Sequence, residues 1–121
     1  IILGPGSFLT SVIPPLLVRD IANAINKSNG HCIFIDNIVA EQSPAAQLTL
    51  DEKLSWIEEN IGCQPIDCVI CQDSDIRSEM VDVICRDLSC DNIKHHHDKE
   101  KLVKALNDCL SAISEQTSKL A

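Results

Sequence analysis

The sequence predicts an α/β domain with a Rossmann-like, mostly parallel sheet flanked by helices. Short aliphatic runs alternate with longer segments whose apolar residues recur at helical spacing, the order that builds a parallel sheet covered by helices. Apolar residues make up 45% of the chain and aromatic residues only 2%. The core must therefore be Ile, Val, Leu and Ala, which suits parallel strands buried on both faces. With 121 residues there is material for one domain and not two.

Ile1 to Leu3 reads as the end of a strand. Ser7 to Val12 opens a helix with Ser7 as its N-cap, and Pro14-Pro15 interrupts or redirects it. Leu17, Ile21 and Ile25 recur at helical spacing, so a second helix runs to about Ser28, where Asn29-Gly30 ends it. Cys32 to Ile35 is a short apolar strand closed by Asp36-Asn37. The loop "NIVAEQSPAAQ" follows. Thr49 and Glu52 then form a capping box, with Leu50, Leu54, Ile57 and Ile61 on one helix face and Gly62 as the C-terminal stop. Asp67 to Cys71 and Val81 to Cys85 are strands. The link between them is short for a helical crossover, so a loop or a hairpin is expected. Asp98 caps a last helix with a stripe of Leu102, Leu106, Cys109 and Ile113. The polar tail after Ser114 is expected to fray.

Charge narrows the partners. Ten Lys and Arg stand against eighteen Asp and Glu, a formal net charge of −8. A surface that displaces counterions from nucleic acid needs clustered basic residues, so no nucleic-acid partner is expected. No apolar run approaches the roughly 20 residues of a membrane span. Seven cysteines, an odd number and several of them in strand-like runs, fit reduced thiols in a cytoplasmic protein better than a disulfide framework.

The stretch "IILGPGSFLT" carries the clearest chemical signal. In open α/β sheets ligands sit beyond the carboxyl ends of strands, and Gly4 to Ser7 falls there. Gly4 and Gly6 permit a tight turn and close approach, while Pro5 stiffens it. The N–H groups of Gly6, Ser7 and Phe8 then face outward at a helix start, a favourable place for phosphate. Ser7, Thr10 and Ser11 add hydroxyls. The same four residues serve equally well as an ordinary strand-to-helix turn. Asn37, at the end of the second strand, can donate and accept hydrogen bonds as base or sugar recognition requires, or can simply shape its turn.

The segments "GPGSFLTSVIPPLLVRDIANAI", "IFIDNIVAEQSPAAQLTL" and "HHDKEKLVKAL" resemble the gluconeogenesis-factor family. That family is related to the 2-phospho-L-lactate transferases of the CofD-like fold. The likeness is closest over the first 50 residues and returns at His97-Asp98, where the family has a His-Asp pair opening its last helix. It covers the later part of the family only. Relatives begin with a glycine-rich nucleotide loop on an earlier strand, so residues 1–121 are expected to be the C-terminal portion of a single CofD-like domain, incomplete at its N-terminal side. The resemblance implies a ligand or phosphate site at Gly4, Pro5, Gly6, Ser7, Thr10, Ser11 and Asn37. One departure stands out: many relatives carry Gly-Glu-Thr after the asparagine, whereas this chain reads "AEQSPAAQLTL".

Two functions follow from the resemblance. The first is a cytoplasmic protein that binds a nucleoside diphosphate or nucleotide-sugar, linked to central carbon metabolism and cell shape. The second is a transferase that moves a phospholactyl group from a nucleoside diphosphate to a deazaflavin precursor, with magnesium. Such chemistry needs carboxylates, and Asp36 is the one strand-end candidate. No catalytic residue is assigned. A third reading is an interaction half whose exposed sheet edge pairs with another chain, and a homo-oligomer is expected.

The remaining signals favour structural roles. Consecutive His95, His96 and His97 point in different directions and do not chelate one ion from a fixed backbone, although one of them can reach the ligand. No metal site is assigned. Cys68-x-x-Cys71 has redox spacing, but on a strand its side chains face opposite ways. Trp56 is read as a packing residue. No G-x-S-x-G elbow is present.

Overall fold

In the computed structural model of the chain, residues 1–39 and 41–120 are described. Ala40, in the loop read from the sequence, and Ala121, at the end of the tail, lie outside the described residues. Among the described residues four strands form one sheet in the order β1-β2-β3-β4: β1 (Ile2–Leu3), β2 (Ile33–Ile35), β3 (Cys68–Cys71) and β4 (Asp82–Cys85). All three pairings are parallel. The helices are α1 (Ile13–Leu16), α2 (Arg19–Lys27), α3 (Leu50–Ile61) and α4 (Lys99–Leu120). The expected α/β class is the observed one. β1 lies at a sheet edge, where Ile1 and Ile2 are exposed.

Strand alternation sorts the core into two layers. Phe34 and Val69 turn to one face and pack with Phe8, Leu16, Leu54 and Ile57. Ile33, Ile35, Cys68 and Ile70 turn to the other and pack with Ala105, Cys109 and Ile113 of α4. Leu54 and Ile57 are fully buried, which stabilises the fold by about 1.5–3 kcal/mol for each side chain. The capping box on α3 is formed: Glu52 N–H donates to Thr49 Oγ1 at 3.2 Å, and Thr49 N–H donates to Glu52 Oε2 at 2.7 Å. Gly62 closes that helix in the left-handed region, at φ 90°.

Several local expectations change. The first helical segment is a π-helical turn, Phe8–Val12, running on into α1. Val12 N–H reaches back to the Ser7 carbonyl at 3.1 Å. The wider turn makes room for Pro14 and Pro15, whose rings would strike a carbonyl in a regular α-turn. The chain breaks not at the prolines but just after them, and Phe8–Leu16 meets Arg19–Lys27 at 78°. Among the described residues no single helix is long and apolar enough to cross a membrane. Of the expected stripe only Ile25 packs against the core, beside the buried Ala22, while Ile21 and Leu17, which precedes α2, are exposed.

The β3–β4 link is a loop, and the hairpin alternative fails because the two strands are parallel. Asp51, in the first turn of α3, holds this crossover by accepting from Ser78 Oγ and from Glu79 N–H. The last helix does not fray after Ser114 but continues to Leu120. Hydroxyls of Ser114, Thr117 and Ser118 bond to carbonyls one turn back, and Gln116 donates to Asp82 of β4. At its start, the Asp98 carboxylate accepts from Lys101 N–H at 2.9 Å, as a cap does.

Candidate functional site

The ends of β1 and β2 and the loop before α4 converge on one cleft. Gly4 follows β1 with φ 81°, and a Cβ there would stand 2.5 Å from the Ile35 carbonyl oxygen of β2. Only glycine lets the two strand ends lie this close. The Gly4–Pro5 peptide is cis. Beyond it, Pro5, Gly6 and Ser7 line a cavity of about 480 Å³ together with Asn37, Glu41 and His97. Four of the expected site residues, Pro5, Gly6, Ser7 and Asn37, thus share one opening. Gly4 supports the loop from behind. Thr10 and Ser11 lie on the exposed side of the π-turn and do not line the cleft. The wider helical turn carries them away from it, although a Cβ on Gly6 would meet Ser11 Cβ at 3.1 Å.

The donors at the helix start are not all free. Phe8 N–H donates to Glu41 Oε1 at 2.7 Å. Asn37 Nδ2 donates to the same oxygen at 3.1 Å, and Ser43 Oγ to Glu41 Oε2 at 3.3 Å. A carboxylate of the chain's own therefore takes one of the three expected phosphate donors, where the helix end favours negative charge. Ser7 stands at the N-cap position but its side chain makes no cap bond; Glu41 does that work. Among the described residues, the N–H groups of Gly6 and Ser7 have no partner.

Asp36 is set apart from ligand chemistry. It is 8% exposed. Its Oδ1 accepts from Lys53 Nζ at 2.8 Å and from Asn37 N–H at 2.9 Å. It pairs with the half-buried Lys53 ammonium and orients the turn that presents Asn37. Among the described residues no group of three His, Cys, Asp or Glu is placed to hold a metal ion. Asp36, the strand-end carboxylate, spends its Oδ1 on Lys53 and the Asn37 N–H. A second cavity of about 240 Å³, bordered by Asp36, Asn37, Lys53 and Asp73, adjoins the cleft along Asn37 and Glu41.

His97 is the addition the structure makes. Its Nε2 is buried without a partner among the described residues, and the residue lines the cleft. Burial lowers its pKa below the usual histidine value, against a hydrogen bond to the Asp36 main chain that raises it. A neutral imidazole keeps one ring nitrogen as an acceptor, and His97 sits at the cleft wall. An antiparallel bridge between Ser89 and His97 holds it in place, with Asp98 N–H donating to the Leu88 carbonyl at 2.7 Å. His95, at φ 65°, also borders the opening. The sequence signal for His97 was its position before the α4 cap. Glu41 carried none, because its role depends on where a long loop folds back.

Comparison with known proteins agrees with this architecture. The family model described as "2-phospho-L-lactate transferase CofD" matches residues 1–115. A Pasteurella multocida protein named "Putative gluconeogenesis factor" is 40% identical over 121 residues, covering 93% of this chain and 38% of that protein. A Yersinia pestis protein of the same name is 38% identical over 117 residues, with 94% and 38% covered. The gluconeogenesis factor of Bacillus subtilis is 30% identical over 80 residues, 66% of this chain and 25% of that protein. The chain thus spans well under half the length of these curated relatives. With a parallel α/β sheet throughout and a family match over nearly its whole length, the chain belongs to the 2-phospho-L-lactate transferase CofD family.

Proposed function

We propose that the cleft at the ends of β1 and β2 binds a phosphate-bearing nucleotide of the nucleotide-sugar type, in a protein that binds and reports and need not catalyse. One observation carries this reading. Gly6 and Ser7, whose N–H groups have no partner among the described residues, share a cavity with Asn37 and His97. Backbone donors suit a diphosphate, while an amide and a neutral imidazole suit the hydroxyls of a sugar or the edge of a base. The names of the bacterial relatives support a role in central carbon metabolism. A part in cell-shape maintenance and a cytoplasmic location belong to the same proposal. Association into a homo-oligomer belongs to it as well.

The test is calorimetry with UDP-sugars and GDP on the protein as the cell makes it. Gly6→Val should abolish binding, because its side chain closes the loop to a phosphate and presses on Ser11. Ser11→Ala should leave binding within about threefold, since Ser11 does not line the cleft. If Gly6→Val binds as tightly as the parent, the loop is only a turn and the reading fails.

The family description favours a second reading, transfer of a phospholactyl group from a nucleoside diphosphate to a deazaflavin precursor. On this chain the cleft residues would bind and orient the diphosphate. Magnesium carboxylates would come from other residues of the protein, since Asp36 is tied to Lys53. Product formation in a phospholactyl-transfer assay separates the two readings.

A further inference from the structure

We propose that Cys71 and Cys85 form a reversible dithiol–disulfide pair at the carboxyl end of β3 and β4. The proposal goes beyond the ligand-binding reading and does not depend on it. The two residues are direct partners in the parallel register of β3 and β4. Neighbouring strands run about 4.8 Å apart, inside the Cα separation of about 4.4–6.8 Å that disulfides take. The two Sγ atoms lie 3.2 Å apart. Both thiols also face one acceptor, the Asp73 carbonyl, at 3.4 Å from Cys71 and 3.2 Å from Cys85. The side chains are therefore already turned toward each other, and closing the bond needs no strand movement.

Access distinguishes this pair from the other neighbouring thiols. Cys68 and Cys109 meet in the core beneath α4, and both are buried. Cys71 is buried as well, but Cys85 is half-buried and open to a small oxidant. Burial and the hydrogen bond with Cys85 push the Cys71 thiol up to about 12, which keeps it protonated. Oxidation then starts at Cys85. A hydroperoxide ROOH converts the Cys85 thiol to a sulfenic acid and leaves as ROH. The Cys71 sulfur attacks the Cys85 sulfur, the S–O bond breaks, and the Cys71 proton leaves with the hydroxyl as water. Two thiols are oxidised by two electrons and one hydroperoxide is reduced. A dithiol reductant reverses the bond by exchange. The disulfide removes both thiol donors from the Asp73 carbonyl, at a residue that borders the cavity beside Asp36 and Lys53.

The experiment treats the whole protein with graded hydrogen peroxide, alkylates the remaining thiols under denaturing conditions, and maps tryptic peptides. Cleavage at Arg77 separates the two cysteines. In this chain's peptides, two of the seven thiols should disappear together with the loss of two hydrogens. A linked peptide pair holding Cys71 and Cys85 should appear, and dithiothreitol should restore both thiols. In Cys71→Ser, dimedone should trap Cys85 as the sulfenic acid and no linked pair should form. In Cys85→Ser, Cys71 should stay alkylatable at the same peroxide dose. The proposal is overturned if Cys63 or Cys90 oxidises while Cys71 and Cys85 both remain alkylatable, or if either one links to a different cysteine.

Discussion

The Glu41 carboxylate accepts the Phe8 backbone N–H at 2.7 Å and places a fixed negative charge at the mouth of the cleft. It caps a helix start that sequence reasoning leaves open to phosphate. An anionic ligand therefore meets one internal competitor.

Removing that charge while keeping the acceptor should strengthen binding. Glu41→Gln retains a side-chain oxygen for Phe8 N–H. Two like charges roughly 8 Å apart at an effective dielectric of about 40 repel by about 1 kcal/mol. The affinity for UDP-sugars should rise about fivefold by calorimetry, and the gain should shrink as salt is added. Equal affinity in parent and variant at low salt would place the phosphate far from Glu41.

Gly4→Ala should destabilise the protein by about 3 kcal/mol, seen as a lower denaturant midpoint at unchanged slope. A Cβ at φ 81° is strained by about 1–2 kcal/mol. It also stands 2.5 Å from the Ile35 carbonyl oxygen, so the β1 and β2 ends must separate. A loss under 1 kcal/mol would mean that the strand end yields freely.

Lys53→Met should cost about 3–5 kcal/mol, because it strands the buried Asp36 carboxylate without its cation. Adding Asp36→Asn should recover much of the loss, since the amide carries no charge to bury. Urea unfolding of the parent, Lys53→Met and the double variant tests this. No recovery in the double variant would show that packing of the Lys53 stem dominates instead.

His97 links stability to pH. Burial depresses its folded pKa below the unfolded value of 6.5, so the folded state binds this proton less readily than the unfolded chain. The stabilisation from His97 is therefore complete above pH 6.5 and is lost as pH falls from there toward the folded pKa. Melting temperature should drop between pH 7.5 and 5.5, and His97→Gln should flatten that part of the curve. An equally steep curve in the variant would assign the titration to another group.

Local sequence determined much of this protein. The capping box at Thr49 and Glu52, the Gly62 stop, the Asp98 cap and the order of strands and helices depend on residues within a few positions of one another. Local chemistry suffices to write them. The turn at Gly4–Ser7 and the strand-end Asn37 were legible for the same reason, as was the class of fold that puts both at the carboxyl ends of strands. Tertiary structure decided what lies across from them. Glu41 reaches Phe8 from 33 positions away, Lys53 claims Asp36 from 17 positions away, and Cys71 meets Cys85 only through β-sheet register. The outward turn of Thr10 and Ser11 follows from a π-turn that relieves two prolines, and the ordered tail of α4 from contacts with β4. In each case the deciding energy is a hydrogen bond, charge or packing contact between groups distant in sequence, whose meeting depends on the whole chain having folded.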